Sequence, residues 1–215
     1  MTHPQPHDLL WITNASALIA PDALPGWVHE SMRQAPVAVV RRALPGNGNL
    51  PLGIRGPSRS HRFAAHVAIR DVQKRITPED LVHQQAWHNN LRPEFAPIRR
   101  ALHSIALQWK SLGLAWGPTG SAGFELAAGV PCTTSESDLD LIVHAPRPLS
   151  KSDANSLLQS VTGLEIPADI RIETPFGSIA LKEYASPSSA RLLMKTNRGP
   201  QLVADPWNPE ERESK

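Results

Sequence analysis

Twenty-one prolines scattered through 215 residues limit this chain to short elements of secondary structure. Proline stands at nearly twice its usual share of ~5%. Because it is dispersed rather than clustered, it punctuates helices and strands instead of marking a disordered tract. There is no internal repeat and no long low-complexity segment. The length suits one large domain or two small ones, at roughly 100–200 residues per domain. With 40% hydrophobic and 20% charged residues, the chain can bury a core and remain soluble. No apolar run approaches the ~20 residues that span a bilayer, and Met1–Trp11 lacks the basic start and apolar stretch of a signal peptide. The single cysteine, Cys132, excludes an intramolecular disulfide and a zinc site of several thiolates, which fits a reducing cytoplasm.

The formal net charge of +2 conceals a segregation. Residues 41–110 hold 12 Lys and Arg against 4 Asp and Glu, whereas the remainder holds 10 against 16. This division suits one surface that meets an anion and another that carries carboxylates. Solvated helix and loop faces are the competing source of the same imbalance.

Residues 36–72 read as strands: the β-branched run Val37–Val40, then a turn over Pro45–Asn49, then Leu52–Ile54 pairing back as a hairpin. An arginine-bearing loop from Arg55 to Arg62 leads to a further strand at Phe63–Ile69. A β-rich unit of this size (1–76) has a marginal core and is expected to lean on the rest of the chain. A connecting helical segment (77–94) opens at Thr77-Pro-Glu-Asp80, with a Thr N-cap, proline at the first helical position and acids in the first turn. A catalytic domain is expected over 95–215. Its first helix, Pro97–Leu112, places Ile98, Leu102, Ile105, Ala106 and Trp109 at helical spacing and stops at Gly113. Next come a strand at Leu114–Trp116, a helix at Phe124–Ala128, a strand at Leu139–Val143, a helix at Ser150–Gln159, a strand at Ala168–Thr174 and one more at Ser178–Leu181. The predicted fold class is α+β: a mixed sheet with helices, preceded by a small β-containing domain.

The strongest chemical signal is Ser137-Asp-Leu-Asp-Leu-Ile-Val143. Residues two apart in a strand face the same way, so Asp138 and Asp140 project together and Leu139 turns inward. Paired carboxylates repel unless a cation lies between them, and Mg²⁺ is the usual answer because it takes carboxylate oxygen and keeps positions for substrate phosphates. An exposed acidic strand start would look the same in isolation. Upstream, Gly120-Ser121 follows a strand and precedes a helix, where backbone N–H groups and a hydroxyl can face an anion. A plain glycine-rich turn is the alternative. Downstream, Asp169 is expected to reach the same end of the sheet through antiparallel pairing with the Asp138–Val143 strand. Glu173 competes for the third-carboxylate role or binds a basic substrate group.

Strand, Gly-Ser, helix, then Asp-x-Asp and a further Asp resembles the polymerase-β-like nucleotidyltransferase superfamily. More specifically, the chain is similar to the malonate decarboxylase holo-acyl-carrier-protein synthases, or phosphoribosyl-dephospho-CoA transferases. The similarity runs through His7–Trp11, Val39–Arg42, Gly53–Pro57 with Arg59 and Arg62–Ala64, Thr119–Leu126, Ser137–Leu141, and Lys195-Thr…Asp205-Pro-Trp207. One departure is the 17 positions between Ser121 and Asp138, longer than in many superfamily members, with an extra loop over Gly129–Glu136.

The resemblance implies a donor, triphosphoribosyl-dephospho-CoA, and an acceptor serine on the apo acyl-carrier-protein subunit of malonate decarboxylase. It implies two Mg²⁺ or Mn²⁺ ions held by Asp138, Asp140 and Asp169, with Gly120 and Ser121 on the triphosphate. Arg41, Arg42, Arg55, Arg59 and Arg62 are candidates for donor phosphates or for an acidic carrier surface. His61 and His66 flank that region and read as structural or exposed histidines rather than catalytic ones. The six tryptophans read as anchors, with Trp116 and Trp207 as candidates to stack on adenine. Cys132 has no neighbouring histidine to make it a nucleophile. No membrane or nucleic-acid partner is expected. Two rivals remain: a nucleotidyltransferase using an ordinary nucleoside triphosphate, and a non-catalytic nucleic-acid module using the basic surplus. The clustered carboxylates oppose the second.

Overall fold

The computed structural model describes residues 3–58, 60–186 and 190–209. The first domain is a five-stranded sheet built from β1 (Leu9–Ile12), β2 (Val37–Val40), β3 (Leu50–Arg55), β4 (Arg62–Val67) and β5 (Val72–Ile76), with α1 (Gly26–Gln34) between β1 and β2. Strand order is β4-β3-β2-β1-β5, and every neighbouring pair is antiparallel. Alternation splits each strand between two faces. Leu10, Ile12, Ala38 and Val40 join Val28 and Met32 of α1 in one core, whereas Leu9 and Val37 turn the other way onto Phe124 of the second domain. The Val37–Val40 run is apolar throughout because both of its faces are covered. The small domain therefore shares an apolar contact with its neighbour, as its size required.

The second domain follows through α2 (Pro78–His83), α3 (Ala96–Trp109), β6 (Ala115–Pro118), α4 (Gly120–Ala128), β7 (Leu139–His144), α5 (Lys151–Ser160), β8 (Ala168–Glu173), β9 (Ser178–Ala180), α6 (Leu181–Ala185), β10 (Leu192–Thr196) and β11 (Gly199–Val203). Its six strands lie in the order β11-β10-β9-β8-β7-β6. Residues 77–94 are built into this domain, for Trp87 is 1% exposed within its core. Helix α2 starts on a capping box: the Thr77 hydroxyl accepts the Asp80 N–H at 3.1 Å, and the Asp80 carboxylate accepts the Thr77 N–H at 2.8 Å. Helix α3 buries Ile98, Leu102, Ile105 and Trp109 against the sheet, each such side chain contributing roughly 1.5–3 kcal/mol. Gly113, at φ +63°, turns the chain after it.

Strands β7 and β8 run parallel, which corrects the antiparallel pairing expected from sequence. Helix α5 lies between them, and a helical crossover brings the chain back to enter the sheet in the same direction. Leu139, Leu141, Val143, Ile170 and Ile172 then face the helices, while Asp140, His144, Asp169, Arg171 and Glu173 occupy the alternate positions on the face toward the first domain. Trp116 belongs to the core, edge-on to Trp109 at 4.9 Å. Trp207 packs edge-on to Tyr184 and donates its indole N–H to the Ala145 carbonyl at 2.8 Å. Both rings serve as structural anchors in these positions.

Candidate active site

The sheet face opposite the helices meets the first domain along a polar seam. Arg42 reaches both Glu173 oxygens at 2.5 Å, linking the domains. Burial raises the Glu173 carboxyl above its ordinary range, against the pull of Arg42. Beside it, His144 Nε2 meets Glu79 Oε1 at 2.7 Å. Burial works against the charged imidazole, but the hydrogen bond and charge of Glu79 prevail and lift His144 above 6.5. Burial likewise opposes the Glu79 carboxylate, and His144 holds it below 4.5. The raised histidine contributes stability that is present below about 6.5 and lost as pH rises through its folded value. The lowered glutamate contributes stability that is present above about 4.5 and lost as pH falls. The pair therefore helps most between those values. His144→Gln is expected to lower Tm more at pH 6 than at pH 9, as thermal denaturation of both proteins will show.

Farther along the same face, Asp140 of β7 and Asp169 of β8 are register partners. Side chains at paired positions on neighbouring strands point to one side, so these two carboxylates enter the same interdomain cavity of about 610 Å³. Helix α4 begins beside them. The Thr119 N–H donates to the Asp140 carbonyl at 2.9 Å, which ties the turn before the helix to the strand. Gly120 adopts φ +59°, and a Cβ there would lie 1.9 Å from Asp140 Oδ2. Only glycine combines that backbone with so close an approach of the carboxylate. Thr119 and Gly120 line the cavity, whereas Ser121 is 7% exposed and lies outside its wall. Asp138 immediately precedes β7, half-buried and outside the same wall.

Cations complete the cavity. Arg55 and Arg62 are register partners on β3 and β4 and both line it. Arg41, Arg171 and Lys195 line it as well. Arg59 lies outside the described residues. His61 hydrogen-bonds Ser58 at 2.6 Å through Nδ1, and His66 bridges to Ile19 through its backbone. Sequence reasoning missed Arg171, Lys195 and His7 as residues of the site. Arg171 carried a usable signal, since it stands two residues from Asp169 in the same alternating strand. His7 sits at φ +77°, unusual for a residue with a side chain. Burial, then the charges of Arg42, Arg171, His144 and Lys195, push its imidazole down to about 4, so the ring is neutral near pH 7.

The loop after α4 is clamped by one buried acid. Glu125 accepts from Asn90 at 2.7 Å, Arg92 at 2.6 Å, the Cys132 N–H at 2.7 Å, and both the N–H and hydroxyl of Thr133 at 2.8 Å. Burial disfavours its charge, but these donors overcome that and hold the carboxyl down at about 2. Burial pushes the Cys132 thiol up, which suits a structural thiol better than a nucleophile.

Among the described residues, no three carboxylate, imidazole or thiol groups gather into a metal-binding set. The pair that does converge, Asp140 with Asp169, fits Mg²⁺, which usually takes one or two carboxylates and completes its octahedron with water and substrate phosphates. The chemistry of the donor set, hard oxygen beside arginines and a lysine, agrees with that ion.

An acid pair at a helix start, enclosed by arginines and lysine in a cleft between two sheet domains, is equipped for a transferase acting on phosphorylated substrates. The chain belongs to the phosphoribosyl-dephospho-CoA transferase family: the MdcG N-terminal domain matches residues 5–78 and the MdcG C-terminal domain residues 84–206. It is 40% identical over 214 residues to a phosphoribosyl-dephospho-CoA transferase of Pseudomonas putida (strain GB-1), covering 99% of each chain. A protein of the same description from Azotobacter vinelandii (strain DJ / ATCC BAA-1303) is 40% identical over 208 residues, covering 95% of this chain and 94% of that one. One from Klebsiella pneumoniae is 37% identical over 208 residues, covering 97% and 98% respectively. No solved structure matches the chain. Among the described residues, no helix is long and apolar enough to cross a membrane.

Proposed function

We propose that this chain transfers the phosphoribosyl-dephospho-CoA group of triphosphoribosyl-dephospho-CoA to a serine of the apo acyl-carrier-protein subunit of malonate decarboxylase, releasing pyrophosphate. The observation that carries the reading is the register pairing of Asp140 with Asp169 beside Gly120, inside a cavity lined by Arg41, Arg55, Arg62, Arg171 and Lys195. In the transfer, the serine oxygen bonds to the phosphorus next to the ribose, and the bond from that phosphorus to the pyrophosphate oxygen breaks. The leaving group departs with the bonding electrons, and the hydroxyl proton is lost to water.

Asp140 and Asp169, which line the same cavity, would hold Mg²⁺ or Mn²⁺. When bound, such ions supply charge stabilisation to attacking and leaving oxygens. The arginines and Lys195 offset phosphate charge by charge-assisted hydrogen bonds, and the start of α4 adds its positive dipole end beside Gly120. No covalent enzyme intermediate is required, in keeping with the raised Cys132 thiol. The reading places the reaction in the cytoplasm and involves neither membrane nor nucleic acid.

The test is to incubate the protein with apo carrier protein, Mg²⁺ and the triphosphoribosyl donor. The expected result is a carrier-protein mass increase equal to one prosthetic group. No increase, together with labelling of an acceptor from ATP, would move the assignment to a nucleotidyltransferase of ordinary nucleoside triphosphates.

A further inference from the structure

The central cavity shares wall residues with two further spaces, and the two differ in chemistry. One is a recess of about 520 Å³ reaching the hairpin of β10 and β11. It shares Arg41, Arg171 and Lys195 with the central cavity, and among the described residues no carboxylate and no aromatic ring other than His7 lines it. The other is a groove of about 690 Å³ between α1 and the 129–136 loop, which has Arg55 in common with the cavity. Trp27, Phe124, Pro57 and Pro131 make its apolar walls, and Glu136 and an Arg33-paired Glu30 lie along it. The Trp27 ring is held edge-on to His61 and Phe63, at 5.3 and 6.5 Å.

The donor named in the proposed function is as asymmetric as the cleft. Beyond the reacting phosphorus, one side is pyrophosphate, densely anionic and without apolar surface. The other is ribose and dephospho-CoA, which carries a diphosphate of its own but adds an adenine ring and the alkyl chain of a pantetheine arm. The groove's rings suit the adenine of the second, and Arg55, which also lines it, suits that half's diphosphate. The recess suits pyrophosphate by charge.

We infer that the donor lies in one direction along the cleft, its leaving pyrophosphate in the Arg41–Arg171–Lys195 recess and its dephospho-CoA portion in the groove between Trp27 and the 129–136 loop. This rests on the proposed donor. The loop after α4 then gains a role in binding, because Glu125 holds the Cys132 and Thr133 backbone and so shapes the wall against which dephospho-CoA lies.

The two product-like halves can be tested separately. Calorimetry on the full chain with Mg²⁺ would measure 3′-dephospho-CoA and inorganic pyrophosphate as individual probes. Trp27→Ala is expected to weaken dephospho-CoA by about tenfold, the scale of a lost stacking platform, and to leave pyrophosphate affinity unchanged. Ser31→Trp fills the same groove without removing a core side chain and should do likewise. Retained pyrophosphate binding shows that both variants are folded. Lys195→Ala is expected to give the opposite pattern. Unchanged dephospho-CoA affinity in both groove variants, or loss of pyrophosphate binding in its place, overturns the orientation. Wild-type protein that binds ATP but not dephospho-CoA instead overturns the donor reading, a distinct failure.

Discussion

Asp140→Asn is expected to reduce transfer to the carrier protein by at least ~10²–10³-fold, the loss that follows removal of one preorganised charge-stabilising group. The substitution conserves size, and the backbone link from the Thr119 N–H to the Asp140 carbonyl remains. The position of α4 should therefore persist. What changes is charge at the point where β7 and β8 bring two carboxylates together. Asp169→Asn should act in the same direction because it is the register partner. Single-turnover assays beside thermal melts make the check. Normal turnover in a folded Asp140→Asn protein would sink the metal assignment.

Glu125→Ala is expected to destabilise the protein by about 3–5 kcal/mol, the cost of breaking a buried charge pair by deleting one member. Five donors converge on this carboxylate. Its removal leaves Arg92 and the Cys132 and Thr133 amides without their acceptor. The acid also predicts a pH dependence. Its folded value of about 2 lies below the ordinary 4.5, so its stabilisation is present above about pH 4.5 and declines as pH falls from there toward 2. Chemical denaturation of wild type and variant at pH 7 and pH 3 should show the difference between them shrinking at the lower pH. An equal difference at both pH values would contradict the depressed carboxyl.

Much of the second domain was legible because its signals are local. The Thr77 and Ser150 caps, the apolar stripe of α3 and the alternation of β8 each depend on residues within a few positions of one another. Other elements carried weaker local patterns: α1, β1 and the β10–β11 hairpin were not expected, and the last exposes much of its apolar surface, with Leu193 at 44% and Leu202 at 64%. The parallel sense of β7 and β8 was within reach of the sequence, since the intervening helix is legible there and a helical crossover favours that direction. Glu173 shows the limit of reasoning from one strand. Its spacing from Asp169 made it a competitor for the site, but Arg42, 131 residues away in sequence, engages its carboxylate.

By itself, the sequence determined the α+β class, the acid-x-acid strand, the glycine that opens α4, and a resemblance extending over nearly the whole chain. These follow from side-chain alternation, capping and backbone freedom, all set within a turn or a strand. Tertiary structure decided which acids face one another and which cations surround them. It set Asp169 opposite Asp140, brought Arg41 from one domain and Arg171 and Lys195 from the other to the same cavity, and turned the 129–136 loop into a wall of the groove. Electrostatic fields sum over space rather than along the chain, so cations from the basic stretch and from the acidic remainder came to line one cleft only when the two sheets packed together.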